Sequence, residues 1–237
     1  MCLSVKLVSA GIVLAAIVGA GVSIGSSSVY ASDEFNRAQD EHQMIQTGLS
    51  VATTAGIQLT IGNRDPDMVG LGSYLVNVVA DCNGCHSNPK TTFAAAGNPY
   101  FLPGTTPPLF TGAKQINPAT YLGGNQSFGF FGKGPQAEII SRNLTPDKTG
   151  LPVGGLILSD FMTILKTGVD IDHIHPSCST NVTNNCLTFP FNGDLLQVMP
   201  WTAFQRMTDR QLTAIYTYLG TIPCLEGGPN EPANRCN

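Results

Sequence analysis

Apolar residues recur at helical spacing in several stretches of this chain. After Asp65, Met68, Leu71, Leu75 and Val78 fall three or four positions apart, which predicts one apolar helix face. Asp65-Pro66-Asp67 supplies a start: a capping carboxylate, a proline in the first turn, and an acid at the positive end of the helix dipole. The pattern predicts that this helix runs straight into Cys82. Gly70, Gly72 and Ser73 give it a patch of small residues where another helix can come close. Further on, Leu212, Ile215, Tyr216 and Leu219 form a second stripe, opened by a Thr208/Gln211 capping box and stopped by Gly220 and Pro223. A middle helix is predicted from Ser159 to just before Gly168, with Phe161 and Leu165 inward. A weaker pattern (Phe35, Ala38, His42, Ile45, Leu49) predicts a helix within residues 32–62, with no evident partner. The reading is a mainly α fold of three or more helices with long irregular insertions.

The larger insertion spans residues 87–140. It holds eight Gly and seven Pro in fifty-four residues, too many turn formers for regular elements. It also holds eight of the eighteen aromatics: Phe93, Tyr100, Phe101, Phe110, Tyr121, Phe128, Phe130 and Phe131. Aromatics in a long loop argue for packing, either over a functional face or among themselves. A second insertion covers residues 176–192.

The first thirty-one residues read as an export signal. Lys6 is followed by an uncharged apolar run from Leu7 to Val22, then a polar stretch, then Val29-Tyr30-Ala31, with cleavage expected after Ala31. The alternative is an uncleaved membrane anchor, for which the apolar run is slightly short. The expected organisation is signal peptide 1–31, N-terminal extension 32–64, main domain 65–224, and a tail, 225–237, tethered by a disulfide. Formal charge is −4 for the whole chain. Losing Lys6 with the signal would make it −5. No basic run or basic–aromatic stripe is present, which disfavours nucleic-acid binding.

Export changes how the cysteines are read. Of seven, Cys2 leaves with the signal. Cys178 with Cys186, and Cys224 with Cys236, bracket two short loops. An oxidising compartment favours disulfides there; four cysteines allow three connectivities, and the local pairing is the expectation. Cys82 and Cys85 belong to a different pattern, Cys82-Asn83-Gly84-Cys85-His86. C-x-x-C alone could be a redox motif or half a zinc site. The first needs a βαβ context and the second another closely spaced pair, and neither is legible here. With His appended, the string is a haem-attachment signal. The two thiols would add across the vinyl groups of one haem, and His86 would be the proximal iron ligand.

A sixth ligand has several candidates: Met44, Met68, Met162, Met199, Met207, His42, His173 and His175. Met199 is preferred. It lies in Val198-Met199-Pro200-Trp201, where the following proline disfavours helix and stiffens the loop. A soft, neutral thioether opposite histidine raises the potential of a haem. His173 and His175, alternating in one loop, are the rivals. Met68 and Met162 fit core positions on helix faces.

Taken together, Cys82–His86, a distal Met-Pro, and a last helix ending in Tyr218-Leu219-Gly220 before Ile222-Pro223 resemble a class I cytochrome c domain, over about residues 66–223. Asn143-Leu144-Thr145-Pro146-Asp147 followed by Gly150 is similar to a subgroup that includes the cytochrome subunits of membrane dehydrogenases oxidising alcohols or sugar acids. The resemblance implies three helices around one covalently bound haem c, with His86 and Met199 as axial ligands. It also implies that Asn143–Thr145 and Trp201 lie by the haem or its propionates. This chain departs from the subgroup in carrying one haem motif where those subunits usually carry three. It also has Leu151-Pro152-Val153-Gly154-Gly155 where an aromatic often stands.

The function expected is electron transfer between redox partner proteins in the periplasm, by a relay protein rather than an enzyme. The partners would be a dehydrogenase, an oxidase or another cytochrome. The alternatives are a permanent subunit of a dehydrogenase complex, and a haem enzyme or ligand sensor with an open distal site.

Overall fold

The computed structural model describes residues 27–87, 101–102, 109–110, 116–172, 174–227 and 234–237. Most of the export-signal segment, Phe93, Tyr100 and His173 lie outside them. The chain divides after Ala38 into two units. The described part of the first is the opening of helix α1 (Ser27–Thr54), where Phe35 is exposed. Among the described residues, no helix is long and apolar enough to cross a membrane.

The second unit is mainly helical. Helix α2 (Pro66–Tyr74) starts as its sequence dictates: Asp65 caps it by accepting the Asp67 N–H at 2.9 Å, and Pro66 occupies the first turn. Its principal partner is α7 (Asp209–Leu219). Gly72 sits at that crossing, where a Cβ would stand 2.0 Å from the Ala214 carbonyl oxygen. On its other contact α2 meets α1, at Gly48 and Gly70. A Cβ on Gly48 would stand 2.0 Å from the Gly70 oxygen. The small-residue patch thus serves two helices, and the partner of the weak N-terminal helix is α2. Ile45, Val69, Leu71, Leu75, Val76, Leu212, Ile215, Tyr218 and Leu219 share one buried core.

The apolar face of α2 differs from the expected one. Val69 and Val76 are fully buried, Met68 is half-buried, and Val78 and Val79 are exposed. At Val78 the cause is a π turn over Leu75–Val79, closed by the Ala80 N–H on the Leu75 oxygen. The wider turn takes up one extra residue, so positions after Leu75 fall out of the regular helical spacing. Nor does α2 run straight into Cys82. Asp81 adopts a left-handed conformation (φ 46, ψ 49), and Cys82–His86 forms a separate helical turn, α3.

Helices α4 (Pro152–Gly155), α5 (Leu158–Thr167) and α6 (Trp201–Phe204) follow. Helix α5 has Phe161 and Leu165 buried and ends at Gly168 in the left-handed conformation, as its sequence predicts. Helix α7 has the full Thr208/Gln211 capping box. Its buried stripe includes Ala214 and Tyr218. Tyr216 instead sits half-exposed, its ring 5.5 Å from Phe161.

The two insertions are joined. Strands β1 (Phe101–Leu102) and β2 (Leu109–Phe110) pair antiparallel, as do β3 (Ser127–Phe130) and β5 (Glu138–Ile140). Strand β4 (Gly132–Lys133) pairs with β6 (Cys186–Leu187), which belongs to the second insertion. Phe131 packs edge-on against Phe191 at 4.7 Å, while Tyr121 leaves the loop for the helical core. Disulfides link Cys178 with Cys186 and Cys224 with Cys236, the local pairing.

Candidate functional site

The Cys82–His86 turn is short, and its five residues make few helical bonds of their own. What fixes it comes from elsewhere. The Leu122 N–H donates to the Asn83 side-chain oxygen at 2.9 Å, and the Gly124 N–H donates to the His86 carbonyl at 2.6 Å. Leu122 and Gly124 both have positive φ (56° and 67°). At Gly124 the requirement is also steric, since a Cβ would lie 2.3 Å from the Arg142 carbonyl carbon. The 122–124 turn is therefore fitted between the Cys-His turn and the Arg142–Asn143 backbone. The Leu144 N–H donates to the Leu122 oxygen at 2.8 Å and closes the layer.

Within the turn, His86 is part-buried and its Nδ1 lies 2.8 Å from the Arg142 carbonyl oxygen. A carbonyl can only accept, so Nδ1 carries the hydrogen. The neutral ring then keeps its lone pair on Nε2. Burial holds this imidazole below its ordinary pKa. The Arg142 charge adds to that, and the backbone hydrogen bond opposes it. A neutral imidazole with one nitrogen tied to a carbonyl and the other presenting a lone pair is the form that binds metal.

Cys82 is part-buried and packs on the helical core; Cys85 is exposed. Neither is in a disulfide, whereas Cys178, Cys186, Cys224 and Cys236 all are. Two unbridged thiols one helical turn apart, with His86 tautomerised as above, make a donor set that fits a covalently attached haem.

The other candidates separate. Met199 is half-buried, packs on the same core as Cys82, and lies outside helix at the entry to α6, where its carbonyl accepts from the Trp201 N–H. Met68, Met162 and Met207 also pack on that core, and Met44 and His42 are exposed. The His175 ring donates through Nε2 to the Glu138 carbonyl at 3.1 Å, which commits it to β5. Trp201 lies against Gly168, with ring atoms where a Cβ would be.

Asn143 and Thr145 are buried, and their polar atoms are engaged within the protein. The Asn143 side-chain oxygen accepts from the Thr145 N–H and hydroxyl, and its amide donates to the Leu225 carbonyl. Arg142 extends the other way, pairing with buried Asp170 at 2.7 Å and with exposed Asp172. Sequence reasoning missed Arg142 because the atom that matters is its backbone carbonyl. It also missed the 122–124 turn, although Gly123-Gly124-Asn125 carries an ordinary turn signal.

No protein-family model matches the chain, and no solved structure does. The fructose dehydrogenase cytochrome subunit of Gluconobacter japonicus is 24% identical over 153 residues, covering 65% of this chain and 21% of that protein. The chain is distantly similar to a dehydrogenase cytochrome subunit. It spans about a fifth of that relative's length.

Proposed function

We propose that this chain is an exported c-type cytochrome that relays electrons between redox proteins, with one haem attached through Cys82 and Cys85. His86 would hold the iron from one side and Met199 from the other. The observation that carries the reading is the Nδ1–H bond from His86 to the Arg142 carbonyl, which leaves Nε2 as a ligand inside a C-x-x-C-H turn. Bound there, a haem supplies reversible one-electron chemistry, with a potential set by its axial ligands, their hydrogen bonds and burial. The protein's part is to fix the imidazole tautomer and orientation, to exclude water with the α2–α7 core, and to keep a neutral thioether on a proline-stiffened loop. Cys85, being exposed, marks the edge at which a partner would exchange electrons.

The cytochrome subunit named above favours a dehydrogenase as the electron donor. Whether the association is permanent or transient is read by co-purification.

The test is the visible spectrum of the purified protein, oxidised and reduced, beside an intact mass. The expected result is a mass increment of one haem and a low-spin, six-coordinate spectrum with the weak red band of a Met–ferric bond. Met199→Ala should lose that band and keep the haem. A native spectrum in that variant would remove Met199 from the iron, and a high-spin wild type would favour an enzyme or ligand sensor.

A further inference from the structure

The C-terminal tail returns to the site. After α7 the chain passes Cys224, and Cys236 is tied back to it. Between them Arg235 is only 5% exposed, unusual for an arginine. Its guanidinium donates through Nη1 to the Thr145 hydroxyl at 2.8 Å and to the Leu225 carbonyl at 3.1 Å. Through Nη2 it donates to the Thr145 carbonyl at 2.6 Å and, more weakly, to the Asn143 carbonyl at 3.5 Å. The tail adds backbone bonds: the Leu225 N–H donates to the Thr145 hydroxyl and the Lys148 N–H to the Arg235 carbonyl. Most of these converge on Asn143–Thr145, the residues that follow Arg142. The Arg142 carbonyl shares a rigid peptide plane with the Asn143 nitrogen. That carbonyl is the acceptor for His86 Nδ1–H.

We propose that Arg235 is a positioning residue for the proximal histidine. By clamping Asn143–Thr145 it holds the Arg142 carbonyl in place, and so sets the strength of the bond from His86 Nδ1–H. Asp170 and Asp172 anchor the Arg142 side chain from the other flank. A fork of five donors suits this task, because one planar group engages the Thr145 hydroxyl and the carbonyls of Asn143, Thr145 and Leu225 at once. The inference rests on the cytochrome reading. A firm Nδ1–H bond makes the imidazole a stronger donor to iron and stabilises the ferric state, so loosening it raises the potential.

The experiment uses the full, haem-loaded protein and two readouts that a merely structural role would leave alone. One is hydrogen exchange at His86 Nδ1–H, followed by NMR in the ferrous state; the other is the midpoint potential. Arg235→Gln should exchange at least about tenfold faster and show a higher potential, as expected when local opening becomes easier. Arg235→Lys, which keeps the charge without the planar fork, should move both in the same direction by less. Ile45→Val, a packing change on α1, controls for general loosening and should move neither. Arg235→Gln with covalent haem and wild-type exchange and potential would overturn the inference and leave the cytochrome reading standing. If that variant does not fold, Arg235→Lys decides, and wild-type values in it overturn the inference equally. A wild-type protein whose mass shows no haem would sink the cytochrome reading, and this inference with it.

Discussion

Two regions meet at the Cys82–His86 turn, and they are built on different principles. The helical region (α1, α2 and α7) is held by burial and by backbones brought close through Gly48, Gly70 and Gly72. The loop region, residues 122–124, 142–145, 224–227 and 234–236, lends Leu122 and Leu144 to that core. It is held by directional bonds: Gly124 to His86, His86 to Arg142, Arg235 to Thr145, and a disulfide. Packing is non-directional and tolerates small shifts, whereas hydrogen bonds fix orientation. The helices should therefore set how stable the protein is, and the loops how the histidine is aimed.

Gly72→Ala gives the largest effect that separates the two. It drives a methyl into the Ala214 backbone, so unfolding in urea should show a loss of about 1–3 kcal/mol or more. The signals of His86 should stay in place. A neutral Gly72→Ala would mean that the α2–α7 crossing adjusts freely, and the contrast would lose its first half.

The disulfides sharpen the second half. Cys178–Cys186 and Cys224–Cys236 close loops of similar length, so chain entropy assigns each about 2–3 kcal/mol. Replacing either pair with serines should lower thermal stability by a comparable amount. Only the Cys224/Cys236 replacement should shift the potential, because only that tail carries Arg235. Equal shifts from both would show that the potential follows stability and not aim.

The smallest effect lies in a polar element inside the helical region. The Tyr121 and Tyr218 hydroxyls are 2.8 Å apart, and Tyr121 donates to the Asn77 oxygen at 2.7 Å. Burial raises both phenols above the ordinary value of 10.0, Tyr121 well above it. The unfolded chain releases these protons near pH 10 while the folded chain keeps them. Their contribution is therefore complete below about pH 10 and is lost as pH rises toward the folded values. Tyr121→Phe should cost about 1 kcal/mol at neutral pH and flatten the alkaline fall in stability. An unchanged alkaline slope would exclude Tyr121 as its source.

The same division decides what was legible beforehand. Helix starts and stops depend on side chains with fixed chemistry, so Asp65-Pro66, Thr208/Gln211 and Gly168 located their helices from sequence. The Cys-His motif and both cysteine pairs were legible for the same reason. The buried face of α2 was misjudged at Val78 because periodicity assumes an unbroken helix, and a π turn leaves no side-chain signature. The partner of α1 was missed because contact between glycines carries no hydrophobic signal. Arg142, Leu122 and Gly124 act through backbone groups that every residue possesses. Arg235 lies about ninety positions from Thr145, in a tail whose return depends on the disulfide and not on local pattern.

The π turn at Leu75–Val79 has a consequence for chain length. Substitutions at exposed Val78 or Val79 leave the path of the backbone alone. Deleting one of them would let the helix revert to regular winding, with one residue fewer in the turn and little change in where the next turn begins. Cys82, Cys85 and His86 would then stay near the loops that receive them. An insertion has no such outlet: one more residue in a regular turn would rotate everything after it by about 100° and shift it by about 1.5 Å along the axis. This stretch is therefore built to lose a residue more easily than to gain one.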